Sequence, residues 1–339
     1  MRALVLLLAL ATLAFSGEAA AKKKPAARAA TAQAAKKPAG PVQTAFRRSP
    51  YVGAISVDAE TGKVLFEENA DQPAYPASVT KLMTVLLVLE DVKAGRLALD
   101  EKVEATADVY KSEASWIGLK TGEKVTVRDL CLALMVESAN DAAIALGVRV
   151  AGSFDAFVAR MNSRAKELGM TGTTYYNPNG LPPNAVRRYP WKHNNVTTAR
   201  DQMLLARALV KIPEIFSFTS VKTCDLVKTA DGFRVSVTRQ TNRPLRQTVL
   251  ADGEKIVTSM KNHNNILRTD KLKVVNPDGS EAVDGLKTGY TDVAGSSIVL
   301  TGCRKGKRAI AVVLGSSSSV ERDANARRLF TDALGALVW

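Results

Sequence analysis

The chain has only two histidines, His193 and His263, and three cysteines, Cys131, Cys224 and Cys303, in 339 residues. Neither histidine stands at ligand spacing from another donor, so a zinc peptidase is a poor candidate. No metal and no cofactor is expected. Three scattered cysteines are too few for a disulfide framework. Cys131 falls on an apolar helical stripe and reads as a small core residue; a bridge between Cys224 and Cys303 stays open. Beyond the first residues no apolar run is long enough to cross a bilayer. From Lys22 to Arg48 there is no acidic residue.

Arg2, the apolar run Ala3–Phe15, and the small residues Ala19, Ala20 and Ala21 have the layout of a secretory signal over residues 1–21. No cysteine near its end suggests a lipid anchor. Residues 22–49 read as a disordered basic linker of Ala, Lys and Pro, with eight cations and too little apolar surface to fold. In a cytosolic protein such a tail points to nucleic acid. Export argues against that partner here. Contact with anionic wall polymers or lipid headgroups, or a spacer role, is expected instead. The mature protein is expected in the periplasm or cell-wall space, soluble or peripherally associated.

Residues 50–339 carry the fold. Ala54–Ala59 alternates as a strand, Glu60–Lys63 is its turn and Val64–Phe66 its return. Ser297–Thr301 and Ala309–Leu314 read as strands around Arg304-Lys305-Gly306-Lys307, before a helix over Glu321–Leu337. Helices are expected over Ser78–Val92, Ile144–Val150, Phe154–Leu168 and Thr198–Leu209. Another is expected to start at Thr126-x-x-Asp129 and carry Val127, Leu130, Cys131, Leu134 and Met135 at helical spacing. Phe233–Val257 reads as short strands or loop. Strands at both ends share one antiparallel sheet only if the middle is an insertion. The expected architecture is therefore an α/β lobe from 50–92 and 275–339 with an inserted, mainly helical lobe over 93–274. A ligand cleft is expected between the lobes.

Three short motifs occur in order: Ser78-x-x-Lys81, Ser138-x-Asn140 and Lys287-Thr288-Gly289. They supply a nucleophilic hydroxyl, an amine to deprotonate it, a proton-passing hydroxyl with an amide, and a cation beside a glycine. Ser78 opens a helix that is apolar nearly all round. As a mere N-cap it would favour Glu or Gln at position 81. Lys81 instead opposes the helix dipole, and burial lowers its pKa toward that of a usable base. The rival Ser163–Lys166 lies on a polar helix face, and the rival Lys120–Gly122 lies in a turn and breaks the order. Gly289 on a strand edge is expected to let a substrate backbone approach.

With these residues on hand, the chain resembles the serine D-alanyl-D-alanine carboxypeptidases, the low-molecular-mass penicillin-binding proteins. The match spans about residues 50–335 and includes Pro76-Ala77-Ser78-Val79-Thr80-Lys81, Glu137–Ala142, Tyr176–Leu181, Ala199-Arg200-Asp201 and Asp284–Thr291. Ala139 stands where the family usually has Gly, and Tyr290 where many members have His. The family's C-terminal β domain and membrane anchor are not seen, as in shorter, endopeptidase-type members. The resemblance implies an antiparallel sheet with helices on both faces, the penicilloyl serine transferase or β-lactamase-like fold. It implies catalytic roles for Ser78, Lys81 and Ser138, with Asn140, Lys287, Thr288, Gly289 and Tyr290 binding substrate. Peptidoglycan stem peptides are the implied substrate and β-lactams the implied covalent inhibitors. The backbone N–H groups of Ser78 and Tyr290 are the implied oxyanion hole. A class A β-lactamase is the alternative, but Glu167, the only Glu between Ser138 and Pro213, reads as helical. A non-catalytic wall-binding protein is a further alternative.

Overall fold

The computed structural model describes residues 48–109, 115–183, 192–237, 255–269 and 282–338, with Asn276, Asp278 and Ser280. The signal-type segment and the tail up to residue 47 lie outside the described residues. The chain begins with β1 (Gly53–Asp58), β2 (Val64–Glu68) and α1 (Lys81–Lys93). There follow β3 (Lys102–Glu104), β4 (Lys124–Thr126), α2 (Val127–Val136), α3 (Asn140–Ala151), α4 (Phe154–Glu167), α5 (Ala199–Leu209) and the short α6 (Phe216–Thr219). Then come β5 (Thr223–Lys228), β6 (Phe233–Ser236), β7 (Lys255–Lys261) and α7 (Asn265–Thr269). The last elements are β8 (Val283–Thr291), β9 (Gly295–Arg304), β10 (Lys307–Ser316) and α8 (Ser319–Val338).

Strands from both ends of the sequence form one antiparallel sheet in the order β2-β1-β10-β9-β8. Gly53 pairs with Leu314 and Asp58 with Ala309, so β1 is buried beside β10. Period-two alternation sends side chains to opposite faces. Ala54, Ile298, Leu300, Ala311 and Val313 pack against Leu329, Phe330 and Ala333 of α8. Ile55, Val57, Val299, Ile310 and Val312 face the core that holds α1 and α5. The sheet thus carries helices on both faces, as its sequence pattern and resemblance imply.

Helix α1 explains its own burial. Leu82 through Leu89 are all buried, a helix apolar on every side and therefore placed in the middle of a domain. Each such Leu or Val contributes roughly 1.5–3 kcal/mol by leaving water. Helix α2 starts as read: Thr126 Oγ1 accepts the Asp129 N–H at 3.1 Å. The middle of the chain is less helical than expected. It holds the β3–β4 ribbon and a three-stranded sheet in the order β6-β5-β7. Strand β5 pairs Cys224 with Met260, a partner far along the chain that no local pattern announces. Residues 238–254 of the expected strand-or-loop stretch lie outside the described residues. All three cysteines are free thiols, so Cys224 and Cys303 do not pair. Cys131 sits in the core, where burial pushes its thiol up to about 12.

Candidate active site

Ser78 does not lie in an α-helix. Ala77–Thr80 form a 3₁₀ turn, and α1 begins only at Lys81. Neither segment has a side-chain N-cap bond, so the capping role for Ser78 is overturned. Ala77 takes φ +47°, a left-handed conformation that costs a non-glycine residue energy and is characteristic of functional sites. Lys81 is fully buried at the first position of α1, with no acidic residue in that turn. Burial, then repulsion from Lys287, holds its amine well below the ordinary lysine value, against the pull of Asp141. Its Nζ lies 3.0 Å from Ser78 Oγ, 2.7 Å from Asn140 Oδ1 and 2.8 Å from the Asn179 carbonyl. A neutral amine has two N–H donors and one lone pair. The two oxygens that only accept, Asn140 Oδ1 and Asn179 O, use the donors. The lone pair is left for the Ser78 hydroxyl, which is the geometry of a base.

Two loops hold this arrangement. Asn140 is the first residue of α3, and its N–H donates to the Ser115 carbonyl at 2.9 Å. Asp141 accepts the N–H groups of Ile117 and Leu119 at 3.1 and 3.0 Å. Ser138 lies in the α2–α3 loop at φ +64°, and its buried Oγ has no hydrogen-bond partner among the described residues. Ala139 has φ −57°, so nothing at that position demands glycine, and the departure from the family pattern is accommodated. On the other side, Asn195 accepts from the Tyr176 and Asn177 N–H groups at 2.7 and 3.1 Å. Its Nδ2 donates to Thr80 Oγ1 and to the Asn177 carbonyl, both at 3.0 Å. This clamps the loop that delivers Asn179 to Lys81. Gly180 closes it at φ +82°, where a Cβ would sit 1.8 Å from the Ala77 carbonyl.

Strand β8 is the sheet's edge and forms the other wall. Lys287 is fully buried, its Nζ donating to the Thr288 carbonyl at 3.1 Å. Burial and the nearby Arg322 lower its amine to about 7, opposed by Glu137. Thr288 is buried beside it. At Gly289 the side-chain space is taken by the nucleophile turn. A Cβ there would meet Pro76 O at 2.6 Å and Ser78 N at 3.1 Å. The glycine therefore lets β8 press against the turn. Tyr290, one residue on, is 57% exposed, with its hydroxyl donating to Asp292 Oδ1 at 2.8 Å.

The sequence model described as D-alanyl-D-alanine carboxypeptidase matches residues 51–318. The chain belongs to that family. Among curated relatives, carboxypeptidase DacF of Bacillus subtilis is 30% identical over 276 residues, covering 81% of this chain and 60% of that protein. A D-alanyl-D-alanine endopeptidase of Pseudomonas aeruginosa is 34% identical over 173 residues, half of this chain (50%) and of the relative (51%). The chain spans about 60% of the length of the first curated relatives it matches. Of solved structures, carboxypeptidase DacD from Francisella tularensis aligns with TM-score 0.71 at 31% identity, covering 86% of this chain and 72% of that one. Penicillin-binding protein D2 from Listeria monocytogenes, in its ampicillin-bound form, aligns with TM-score 0.63 at 30% identity, covering 84% and 97%.

In this D-alanyl-D-alanine carboxypeptidase family member, the rival motifs stand apart. Ser163 donates to Glu167 on α4, and Glu167 also pairs with Arg164 at 2.8 Å on the surface. Lys120 is exposed in a turn that closes at Gly122, φ +86°. Several site residues escaped the sequence reading. Asn179 acts through its backbone carbonyl and Asn195 through its side-chain amide on backbone groups and Thr80, and only the Asn177-Pro178-Asn179-Gly180 turn signal marks the loop. Arg322 in the first turns of α8 is 5% exposed, pairs with Asp323 at 2.7 Å, and adds positive charge near Lys287. His263 is pushed down to about 4 by desolvation and then by Lys287, Lys81, Arg268 and Arg322. Only packing of α7 and α8 beside the sheet brings these residues in.

Proposed function

We propose that the protein is a serine-type D,D-peptidase that cleaves peptidoglycan stem peptides through a Ser78 acyl-enzyme. The observation that carries the reading is the buried Lys81 amine, whose Nζ lies 3.0 Å from Ser78 Oγ and is held by Asn140 Oδ1 and the Asn179 carbonyl. Lys81 takes the Ser78 proton. Ser78 attacks the carbonyl of the penultimate D-alanine, with the Ser78 and Tyr290 N–H groups stabilising the oxyanion. Ser138 passes the proton to the leaving amine, and Asn140 holds the substrate amide. Lys287 and Thr288 hold the terminal carboxylate, and water then releases the shortened peptide. β-Lactams acylate Ser78 by the same route; the relative from Listeria monocytogenes described in an ampicillin-bound form supports this. The β-lactamase reading has no support at Glu167, which is tied to Arg164 at the end of α4.

Both a free D-alanine and a cross-linked strand are leaving groups for this reaction, and the exposed Tyr290 borders an open rim. Purified pentapeptide monomer and cross-linked dimer, offered at equal concentration, distinguish the two. The expected result is dimer cleavage at an initial rate at least comparable to D-alanine release. Release of D-alanine without dimer cleavage makes the enzyme a carboxypeptidase alone. Release of neither product sinks the D,D-peptidase reading.

The protein works in the periplasm or cell-wall space, a placement supported by the signal-type layout of residues 1–21. Its basic tail holds it to anionic wall or membrane surfaces, supported by eight cations without an anion from Lys22 to Arg48. Deleting residues 22–48 is expected to leave turnover of a soluble peptide unchanged and to weaken retention on sacculi. The loss should be largest at low salt, since exposed charges are screened within about 10 Å at 0.1 M. Equal low-salt retention with and without the tail reduces it to a spacer.

A further inference from the structure

Glu137 stands between two parts of the site. It caps α2, its N–H donating to the Ala133 carbonyl at 3.1 Å, and the next residue is Ser138. The Ala139 N–H returns to the same carbonyl at 3.1 Å, so the backbone on both sides of Ser138 is tied to the end of α2. The Glu137 side chain is half-buried and accepts the N–H of Lys261, the last residue of β7. That strand end is firm. The Asn262 N–H donates to the Lys222 carbonyl at 2.9 Å and its Nδ2 to the Val221 carbonyl at 3.0 Å, while its Oδ1 accepts the Asn264 N–H at 2.9 Å. The carboxylate of Glu137 is therefore held in place from two sides.

Lys287 needs an anion. Its side chain is buried, and among the described residues its Nζ donates to one acceptor, the uncharged Thr288 carbonyl, at 3.1 Å. A buried cation without an opposite charge is costly. Three other elements bring basic groups toward it: Arg322 on α8, Lys81 on α1 and His263 after β7. Glu137 is the anion set against them, and the attraction is felt by both partners.

We propose that Glu137 is the counter-ion of Lys287, a positioning residue that keeps the lysine charged for the substrate carboxylate. The inference rests on the D,D-peptidase reading for the substrate. Its consequence is the pH range in which that carboxylate binds. Burial and then Arg322 lower the Lys287 amine to about 7, and Glu137 opposes them. Without the negative charge the charged amine is less favoured, so Lys287 loses its proton at lower pH. The other groups nearby do not set this limb. Arg322 stays charged at every working pH. His263, pushed down to about 4 by burial and then by Lys287, is neutral near pH 7. Lys81 governs the rising limb, since its neutral form is the base. Cys224 on β5, which also feels Glu137, is pushed up to about 12 by burial and then by Asp225 and remains a thiol.

The test uses the full chain with Glu137→Gln. The amide oxygen still accepts the Lys261 N–H, so the loop keeps its tie and only the charge goes. For a pentapeptide, the falling limb of kcat/KM near 7 should move about one pH unit lower, a shift worth about 1.4 kcal/mol. Near pH 7 KM should rise about fivefold, because the charged fraction drops from about one half to about one tenth, with kcat close to wild type. A pentapeptide ending in an amide should show no such shift. In the Lys287→Arg background, adding Glu137→Gln should move nothing, since a guanidinium holds its charge unaided. A limb that stays in place in Glu137→Gln, or an equal shift for the amide substrate, overturns the counter-ion. A second measurement stands independent of turnover. Lys287 is titrated by NMR in protein carrying carbon-13-labelled lysine, its signal identified by its loss in Lys287→Arg. The midpoint should fall by about one pH unit in Glu137→Gln, and an unchanged midpoint overturns the proposal. Wild-type protein inert toward both peptides would fail the D,D-peptidase reading, and the NMR midpoint would still decide the role of Glu137.

Discussion

Ser78→Ala is expected to remove covalent labelling by a fluorescent penicillin and to lower peptide turnover by at least about 10⁴, the scale on which a lost serine nucleophile is felt. The prediction follows from what surrounds the hydroxyl. Ser78 Oγ is the atom the buried Lys81 amine faces at 3.0 Å. The change removes one oxygen from a turn whose shape is set by other contacts, those of Gly180 and Gly289 against its backbone. The fold should survive, and unchanged thermal unfolding checks that. The other Ser-x-x-Lys serine, Ser163, is bonded to Glu167 and should take up no label. Full labelling of the variant, or label recovered on Ser163, overturns the assignment.

Lys81→Ala should slow acylation by about 10³, within the range of a lost general base. The wild-type pH profile carries the finer test. Lys81 is held well below the ordinary lysine value by burial and by Lys287. Its neutral, proton-accepting form grows as pH rises, so the rate rises through its folded pKa. Lys287 works in the opposite sense. Its amine titrates at about 7, and only the charged form attracts a carboxylate. Binding of a carboxylate substrate should therefore weaken above that pH, giving kcat/KM a falling limb near 7. Lys287→Arg should remove the falling limb, because a guanidinium keeps its charge. A substrate with an amide in place of the terminal carboxylate should lack that limb in the unaltered protein. A falling limb that persists in both cases assigns it to another group.

The nucleophile side of the site was readable because its rules are local. An all-round apolar helix after Ser78 means burial, and a lysine at its start conflicts with both burial and dipole. That conflict marked Lys81 before any geometry was known. The end strands were readable from alternation, and their common sheet from the need to pair. What stayed hidden depends on distant partners. Strand β5 is half polar and acquires its identity from β7. Asn195 looks like any loop asparagine until its amide meets Thr80. Arg322 sits among the surface-like charges of α8 and becomes a site residue only through packing. Gly289 also serves a contact that no local pattern announces, the packing of β8 against the nucleophile turn.

The pairing of β1 with β10 has a kinetic meaning. Gly53 waits for Leu314, and Ser78 for Gly289, across more than half of the chain. Loop closure over such separations is entropically costly, and topologies rich in distant contacts fold slowly. A chain still emerging from synthesis has the serine and the lysine but no β8 wall to complete the pocket. The site proposed for acylation is therefore complete only once the final hairpin has docked. Until then the polypeptide lacks that wall, and its apolar α1 is a surface for chaperones to cover.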